Sequence, residues 1–352
     1  MKFTLKIENL GPLKTGRIDI RPLTVLAGPN GTGKSFVTRS LYSVLNVVNK
    51  VNWRAFSPEH KGIMECSEIR TELLGNFQIS TLDDLLRFDS DKIGFAIEDV
   101  FSIDFDNQPI DLRVGPKATE IANLAQVFYL ESPSYWKLRD ALNGAKDNAL
   151  RLVSRNFDNS QILTGVPNFF YDLQQLLKMK TNPVASGDKV TAIAEPLKAA
   201  LGGEFQFNDD DLVFKHQASG RAIDKNLISF GMVNLGMIHK LIASGLITAG
   251  SFIFIDEPES NLHPDWQVLL TQTLVLLAQH DVNVVVATHS TDILLAIEKS
   301  VTKITAPDDL LSVHYFDDDG TLLDLDSEAA IVQLQQVRSE LNASYEALYF
   351  GA

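Results

Sequence analysis

Residue types able to hold and cleave a phosphate chain are concentrated in three short stretches of this sequence. The first is Gly28-Pro29-Asn30-Gly31-Thr32-Gly33-Lys34-Ser35, followed by Phe36, with the spacing G-x-x-x-x-G-K-S. Glycines at those positions let backbone N–H groups converge on phosphate oxygens, and a helix starting there adds its positive end. Lys34 can reach the β- and γ-phosphates, and the Ser35 hydroxyl can ligate magnesium. The second stretch, SFIFIDE, is an apolar run ending in Asp256-Glu257. A buried strand of this kind delivers both carboxylates at its C-terminal edge, where Asp256 can hold the magnesium shell and Glu257 can polarise an attacking water. The third, VVVATHSTDIL, ends its apolar part at Thr288-His289-Ser290. One strand after the acid pair, the His289 imidazole is expected near a terminal phosphate as a sensor and hydrogen-bond donor. A glycine turn, an acid at a strand end and a surface histidine are each ordinary in isolation. Their order in one chain argues for a shared site.

Such side chains need a sheet to carry them. Leu23–Ala27 reads as a short apolar strand running into the glycine loop, and the next residues place Phe36, Leu41, Leu45 and Val48 on one helical stripe. Residues 2–8 and 17–21 alternate like a hairpin. Between Asn49 and Asn123 the pattern weakens, although Phe88–Val114 alternates around an Asp106-Asn107 turn. AQVFYL, 125–130, is a further buried strand, and Ser134–Lys180 has helical spacing interrupted by Gly165 and Pro167. A surface hairpin is expected around Asn208–Asp211, then a helix over Met232–Leu246, strand Ser251–Ile255, helix Pro264–Gln279, strand Val282–Ala287 and helix Asp292–Lys299. A hairpin at FDDDGTLLDLD and a helical tail with Ile331, Leu334, Val337 and Leu341 on one stripe complete the chain. Strands alternating with helices predict an α/β fold: a mostly parallel sheet flanked by helices, with an antiparallel β subdomain and an inserted helical lobe. The expected division is a core of 1–48 and 205–330 with strand 125–131, an insertion over 49–204 whose helical lobe spans about 134–200, and a C-terminal helix over 331–352.

With these motifs in place, the chain resembles the ABC ATPase superfamily of P-loop NTPases, on its SMC/RecF/OLD-like branch rather than its transporter branch. GPNGTGKS matches the Walker A motif, FIFIDE the Walker B with its catalytic glutamate, EPESNLHP the D-loop as written in OLD-like ATPases, and THS the switch histidine. The resemblance covers 1–48 and roughly 205–325. It implies ATP and Mg2+ as ligands and a homodimer or higher homo-oligomer closed as an ATP sandwich, in which a signature motif of one protomer meets the nucleotide of the other. Here the matching stretch is Ile228-Ser229-Phe230-Gly231-Met232. Ser229 and Gly231 keep the pattern, whereas Phe230 and Met232 replace small and polar residues, which predicts weak or partner-dependent hydrolysis. Glu131 stands where the family often has a glutamine, with access to the magnesium through water. The sequence contains neither the long heptad arms of SMC proteins nor a TOPRIM-type acidic cluster. The family resemblance therefore implies a nucleotide-dependent switch acting on a separate protein effector, a nuclease or toxin, in bacterial defence.

Composition bounds the alternatives. The chain has 352 residues and a formal net charge of -14, so its average surface repels phosphate backbones and anionic membranes. A DNA-repair ATPase clamping nucleic acid would need a basic face. Lys137, Arg139, Lys146, Arg151, Arg155, Lys178 and Lys180 are the candidates, yet Asp140, Asp147, Asp158 and Asp172 interleave with them. Cys66, the single cysteine, rules out an internal disulfide framework and any multi-cysteine zinc site. The N-terminus lacks the apolar core of an export signal, and no apolar run reaches the ~20 residues of a membrane span. A soluble cytoplasmic protein is the expectation, and a transporter ATPase subunit is disfavoured. A small-molecule kinase is disfavoured too, because the acid pair with His289 describes attack by water.

Overall fold

Strands buried at every position cannot leave one face to water, so the largely apolar Leu23–Ala27, Phe252–Asp256 and Asn283–Thr288, buried at each residue, require helices on both sides of their sheet. The computed structural model describes residues 1–50, 63–65, 67–105, 111–117, 121, 124–131, 134–139, 141–144, 165–178, 189–208, 211–325 and 329–350. The chain opens with a hairpin, β1 (Phe3–Leu10) and β2 (Leu13–Ile20), then runs through β3 (Leu23–Ala27) into α1 (Lys34–Lys50). Next come β4 (Ile63–Glu65), α2 (Ser67–Phe77), β5 (Ile93–Ile97), β6 (Phe101–Phe105), β7 (Asp111–Val114), β8 (Val127–Leu130) and α3 (Asn168–Lys178). The remainder comprises α4 (Ala194–Leu201), β9 (Gly203–Asn208), β10 (Asp211–His216), β11 (Ala222–Asp224), α5 (Phe230–Ala243), β12 (Phe252–Asp256), α6 (Pro264–Gln279), β13 (Asn283–Thr288), α7 (Thr291–Val301), β14 (Leu311–Tyr315) and α8 (Ala330–Phe350).

The central sheet has five parallel strands in the order β14-β3-β13-β12-β8. α1 packs on it through β8, β12 and β13, and α6 through β3 and β13. Along α1 the apolar stripe is continuous: Val37, Leu41, Val44, Leu45 and Val48 are buried. Full burial of each such side chain stabilises by roughly 1.5–3 kcal/mol. A second, antiparallel sheet has six strands in the order β2-β1-β5-β6-β7-β4. β5 alternates buried and half-buried residues, as a sheet with one covered face requires. β9, β10 and β11 form a third, three-stranded sheet.

Two segments differ from the sequence expectation in instructive ways. Strands β5, β6 and β7, within the stretch expected as an insertion, pair with β1 through β5 and so complete the sheet begun by the N-terminal hairpin. The hairpin expected at FDDDGTLLDLD is short: one bridge, Phe316–Leu322, flanked by bonds from Asp317 N to the Thr321 carbonyl at 3.0 Å and from Leu323 N to the Tyr315 carbonyl at 2.9 Å, which continue from the end of β14. The Asp106-Asn107 turn, Cys66, Lys146, Arg151, Arg155, Lys180, Asp140, Asp147 and Asp158 lie outside the described residues, as do the stretches 145–164 and 179–188 of the expected helical lobe. Residues 134–139, 141–144 and 168–178 of that lobe are helical.

Candidate functional site

Parallel pairing in register brings four strand ends to one level. Ala27 is opposite Thr288, Ala287 opposite Asp256, and Ile255 opposite Leu130. The residues that follow therefore emerge side by side: the glycine loop after β3, His289 after β13, Asp256-Glu257 at β12, and Glu131 after β8.

The loop itself needs its glycines. Gly28, Gly31 and Gly33 have φ of 147°, 85° and 105°, conformations costly to any side chain. A Cβ on Gly28 would lie 2.4 Å from the Phe316 carbonyl, whereas one on Gly31 would meet nothing within 4 Å. One wall is thus closed by the chain and the other is open. Lys34 Nζ donates to the Gly28 and Pro29 carbonyls at 2.7 and 2.5 Å, and Thr32 Oγ1 donates to Pro29 at 3.0 Å. Burial lowers the Lys34 pKa, opposed by the charges of Asp256, Glu257 and Glu259. An anion placed beside this ammonium would relieve its burial penalty. Asn30 is exposed at the loop tip. The Phe36 ring lies against Gly11, so close that a Cβ there would be 2.5 Å away, which leaves its backbone N–H in the first helical turn as the group that could meet a phosphate.

At the acid pair, Asp256 is 9% exposed. Burial raises its pKa, while a hydrogen bond with Ser35, the charge of Arg39 and a bond from Tyr129 pull the other way. Tyr129 Oη donates to Asp256 Oδ2 at 3.2 Å and shares a 3.0 Å hydrogen bond with Thr38 Oγ1. Arg39, one helical turn beyond Ser35, pairs with Glu131 Oε1. The guanidinium is also 5.9 Å from the ring centres of Phe77 and Phe169. Burial raises the Glu131 pKa against the pull of Arg39, and Glu131 Oε2 is buried without a hydrogen-bond partner. Ser35 and Asp256, already joined, with this free oxygen nearby, fit a divalent cation that arrives with a nucleotide.

Glu257 sits at φ 51°, a left-handed conformation uncommon for a side chain of this size. Its N–H continues the ladder to the Ala287 carbonyl at 2.9 Å, and its own carbonyl accepts from Ser260 N at 3.0 Å. The resulting turn swings Glu257 outward and brings Glu259 back beneath β13. His289 Nδ1 stands 3.4 Å from Glu257 Oε1 and 3.4 Å from Glu259 Oε1.

Ser229 and Gly231 stand at the other end of this turn. Ser229 caps α5, its hydroxyl accepting from Met232 N at 3.2 Å, and is exposed. A Cβ on Gly231 would lie 2.4 Å from the Asn261 carbonyl, so the turn's own backbone demands glycine there. Phe230 is 37% exposed, and Lys137 Nζ lies 4.4 Å from its ring centre. Of the basic residues weighed for nucleic acid, Arg139 is 1% exposed and belongs to no surface. Among the described residues, no helix is long and apolar enough to cross a membrane.

Thr38, Arg39, Tyr129 and Glu259 are site residues that motif reading missed. A signal existed for three of them. Thr38 and Arg39 share the helix face of Ser35 by i+3 and i+4 spacing, and Tyr129 shares the strand face of Glu131 by i+2. Glu259 lies within the quoted EPESNLHP stretch, but nothing there gave it this place, which depends on the left-handed turn.

A family profile described as "AAA domain, putative AbiEii toxin, Type IV TA system" matches residues 23–296. No curated protein matches the chain. Among solved structures, it is similar to an SMC head bound to the C-winged helix domain of ScpA, with TM-score 0.50 and 14% identity over 92% of this chain and 98% of that one. An SMC head with an extended coiled coil, bound to the C-terminal domain of ScpA from Pyrococcus furiosus, aligns with TM-score 0.49 and 13% identity over 96% and 99%. The ADP conformation of an ATP-binding cassette of an ABC transporter aligns with TM-score 0.40 and 13% identity over 100% of both chains.

Proposed function

The chain belongs to this AAA-domain family and is an ABC/SMC-like P-loop ATPase; from that premise we propose that it works as a nucleotide-dependent dimerisation switch controlling a separate protein effector. The observation that carries the reading is the convergence of Lys34, Asp256, Glu257 and His289 on adjacent ends of one parallel sheet, with Ser229 exposed at the start of α5.

In this proposal the glycine-loop N–H groups and Lys34 bind the phosphates of ATP, replacing the loop carbonyls that now hold the ammonium. Ser35, Asp256 and Glu131 would hold Mg2+ directly or through its waters, and the ion would supply positive charge against the phosphates. Glu257 takes the proton of the attacking water and His289 steadies the terminal phosphate. Ser229 and the first N–H groups of α5 approach the nucleotide of a second copy. Phe230, in place of a small residue, hinders that approach and keeps hydrolysis slow until a partner orders the interface. An effector of nuclease or toxin type, in a bacterial defence system of the OLD-like kind, suits a chain with hydrolytic residues and no second recognisable chemistry. The SMC head in the comparison was solved with a domain of another protein bound, a precedent for a partner docked on such a fold.

The test is the mass in solution of wild type and Glu257→Gln with ATP and magnesium. The variant should hold ATP and accumulate as a dimer that wild type forms transiently. ATP binding with no change of mass in either protein would sink the sandwich and favour a constitutive or partner-built oligomer.

A further inference from the structure

His289 has two carboxylates at equal distance, and they are not equivalent. Glu257 is half-exposed, with a side-chain relative exposure of 45%, against 11% for Glu259. The Glu257 carboxylate accepts a long bond from Ser260 Oγ at 3.4 Å. Glu259 Oε1 accepts from Thr288 Oγ1 at 2.9 Å and from the His289 N–H at 3.3 Å, so it is tied to the strand end that carries the imidazole. Its other oxygen is buried without a partner. A buried carboxylate left half-satisfied costs stability, and burial accordingly raises its pKa against the pull of Thr288 and His289.

We propose that Glu259 is the positioning residue for His289: it takes the Nδ1–H of the ring, which fixes the tautomer of the neutral imidazole, and turns Nε2 toward the nucleotide, where the doubly protonated ring donates its Nε2–H to the terminal phosphate. This rests on the reading of His289 as the residue that meets the terminal phosphate. A carboxylate holding one imidazole nitrogen decides what the other can do, and catalytic bonds that are long without substrate tighten on binding. The division of labour follows from the turn. Because φ at Glu257 is left-handed, the first acid of the Asp-Glu-Pro-Glu run faces outward for the water and the second faces inward for the ring. Glu257 is thereby spared from orienting His289 and stays available as the base.

Two measurements on the full chain test this. The first needs no hydrolysis: histidine-selective 15N spectra of the nucleotide-free protein at alkaline pH, with His289 identified by its loss in His289→Ala. Wild type and Glu257→Gln should both show the Nδ1–H form, and Glu259→Ala should relax toward the Nε2–H form. The same tautomer in wild type and Glu259→Ala would overturn the proposal, as would a change produced by Glu257→Gln in its place. The second is a kinetic cycle. Glu259→Ala should lower kcat by the same factor as His289→Ala, on the order of 100-fold, with KM changed less than about 3-fold, and the double variant should lose no more than either single one. Glu259→Gln, which keeps the shape and an acceptor oxygen, should fall between wild type and Glu259→Ala. Equal losses from Glu259→Ala in the wild-type and His289→Ala backgrounds would mean that Glu259 acts independently of the ring. Wild-type hydrolysis in His289→Ala would instead remove the role given to His289, and the spectra would still decide whether Glu259 sets its tautomer.

Discussion

Two buried carboxylate clusters in this molecule are built to opposite ends. Where α7 meets α8, Glu298 is 4% exposed and accepts from Arg338 at 2.6 Å, Gln335 at 3.0 Å and Lys299 at 3.4 Å. Burial pushes its pKa up, but those bonds and charges outweigh it and hold the carboxyl below its ordinary value. At the ends of the sheet strands Asp256 is buried and Glu131 and Glu259 are half-buried, and there burial wins, so all three are raised. Glu131 and Glu259 each keep an oxygen with no partner. One cluster is complete in the free protein and fastens the C-terminal helix. The other leaves carboxylate oxygens unpaired, as the proposed binding of Mg2+ and ATP would require, and it lowers the stability of the free protein.

The contrast can be broken at several points. The largest effect is expected from Lys34→Met, which removes the ammonium beside the glycine loop: ATP binding, read by titration calorimetry, should weaken on the order of 100-fold, about 2.7 kcal/mol, while the urea midpoint of the free protein holds or rises. A clear fall in that midpoint would show Lys34 to be structural. Next is Glu298→Ala, which should cost about 2 kcal/mol of stability and leave nucleotide binding unchanged. The smallest effect is expected from Asp256→Asn, which should raise the stability of the nucleotide-free protein by about 1 kcal/mol and abolish its stabilisation by magnesium and ATP.

The two clusters should also respond oppositely to pH. A raised native pKa contributes stability below the unfolded value, near 4, that is lost as pH rises through the native value. Glu298, with a lowered pKa, contributes stability above its unfolded value that is lost as pH falls through the native one. The advantage of Asp256→Asn over wild type should therefore grow from about pH 4 upward, and the deficit of Glu298→Ala should shrink on acidification. Urea titrations across that range measure both.

Much of the site was legible because its parts are local. A P-loop is a run of glycines between a strand and a helix, and Asp256-Glu257 and His289 end strands whose apolar residues announce them. Gly231 shows where motif reading stops short. Its match to the signature pattern suggested nucleotide contact, and the structure adds a second demand, since the Asn261 carbonyl leaves no room for a Cβ. Arg39 and Tyr129 were readable by period once Ser35 and Glu131 were chosen. Strands β5, β6 and β7 were weak in sequence because each is short, and β1, the partner of β5, lies more than 80 residues earlier in the chain.

The sequence by itself determined the α/β class, most elements of 1–48 and 205–325, and the choice of Lys34, Ser35, Asp256, Glu257 and His289 as candidate site residues, because helix and strand periods, glycine conformations and side-chain chemistry are properties of short segments. Tertiary structure decided which strands lie beside which. The order β14-β3-β13-β12-β8 places β13 between the strand of the glycine loop and the strand of the acid pair, so His289 falls between them. It also decided that Glu259 turns in under His289 and that Arg39 closes on Glu131. Those placements come from sheet pairing and burial summed over distant segments, and no local pattern encodes them.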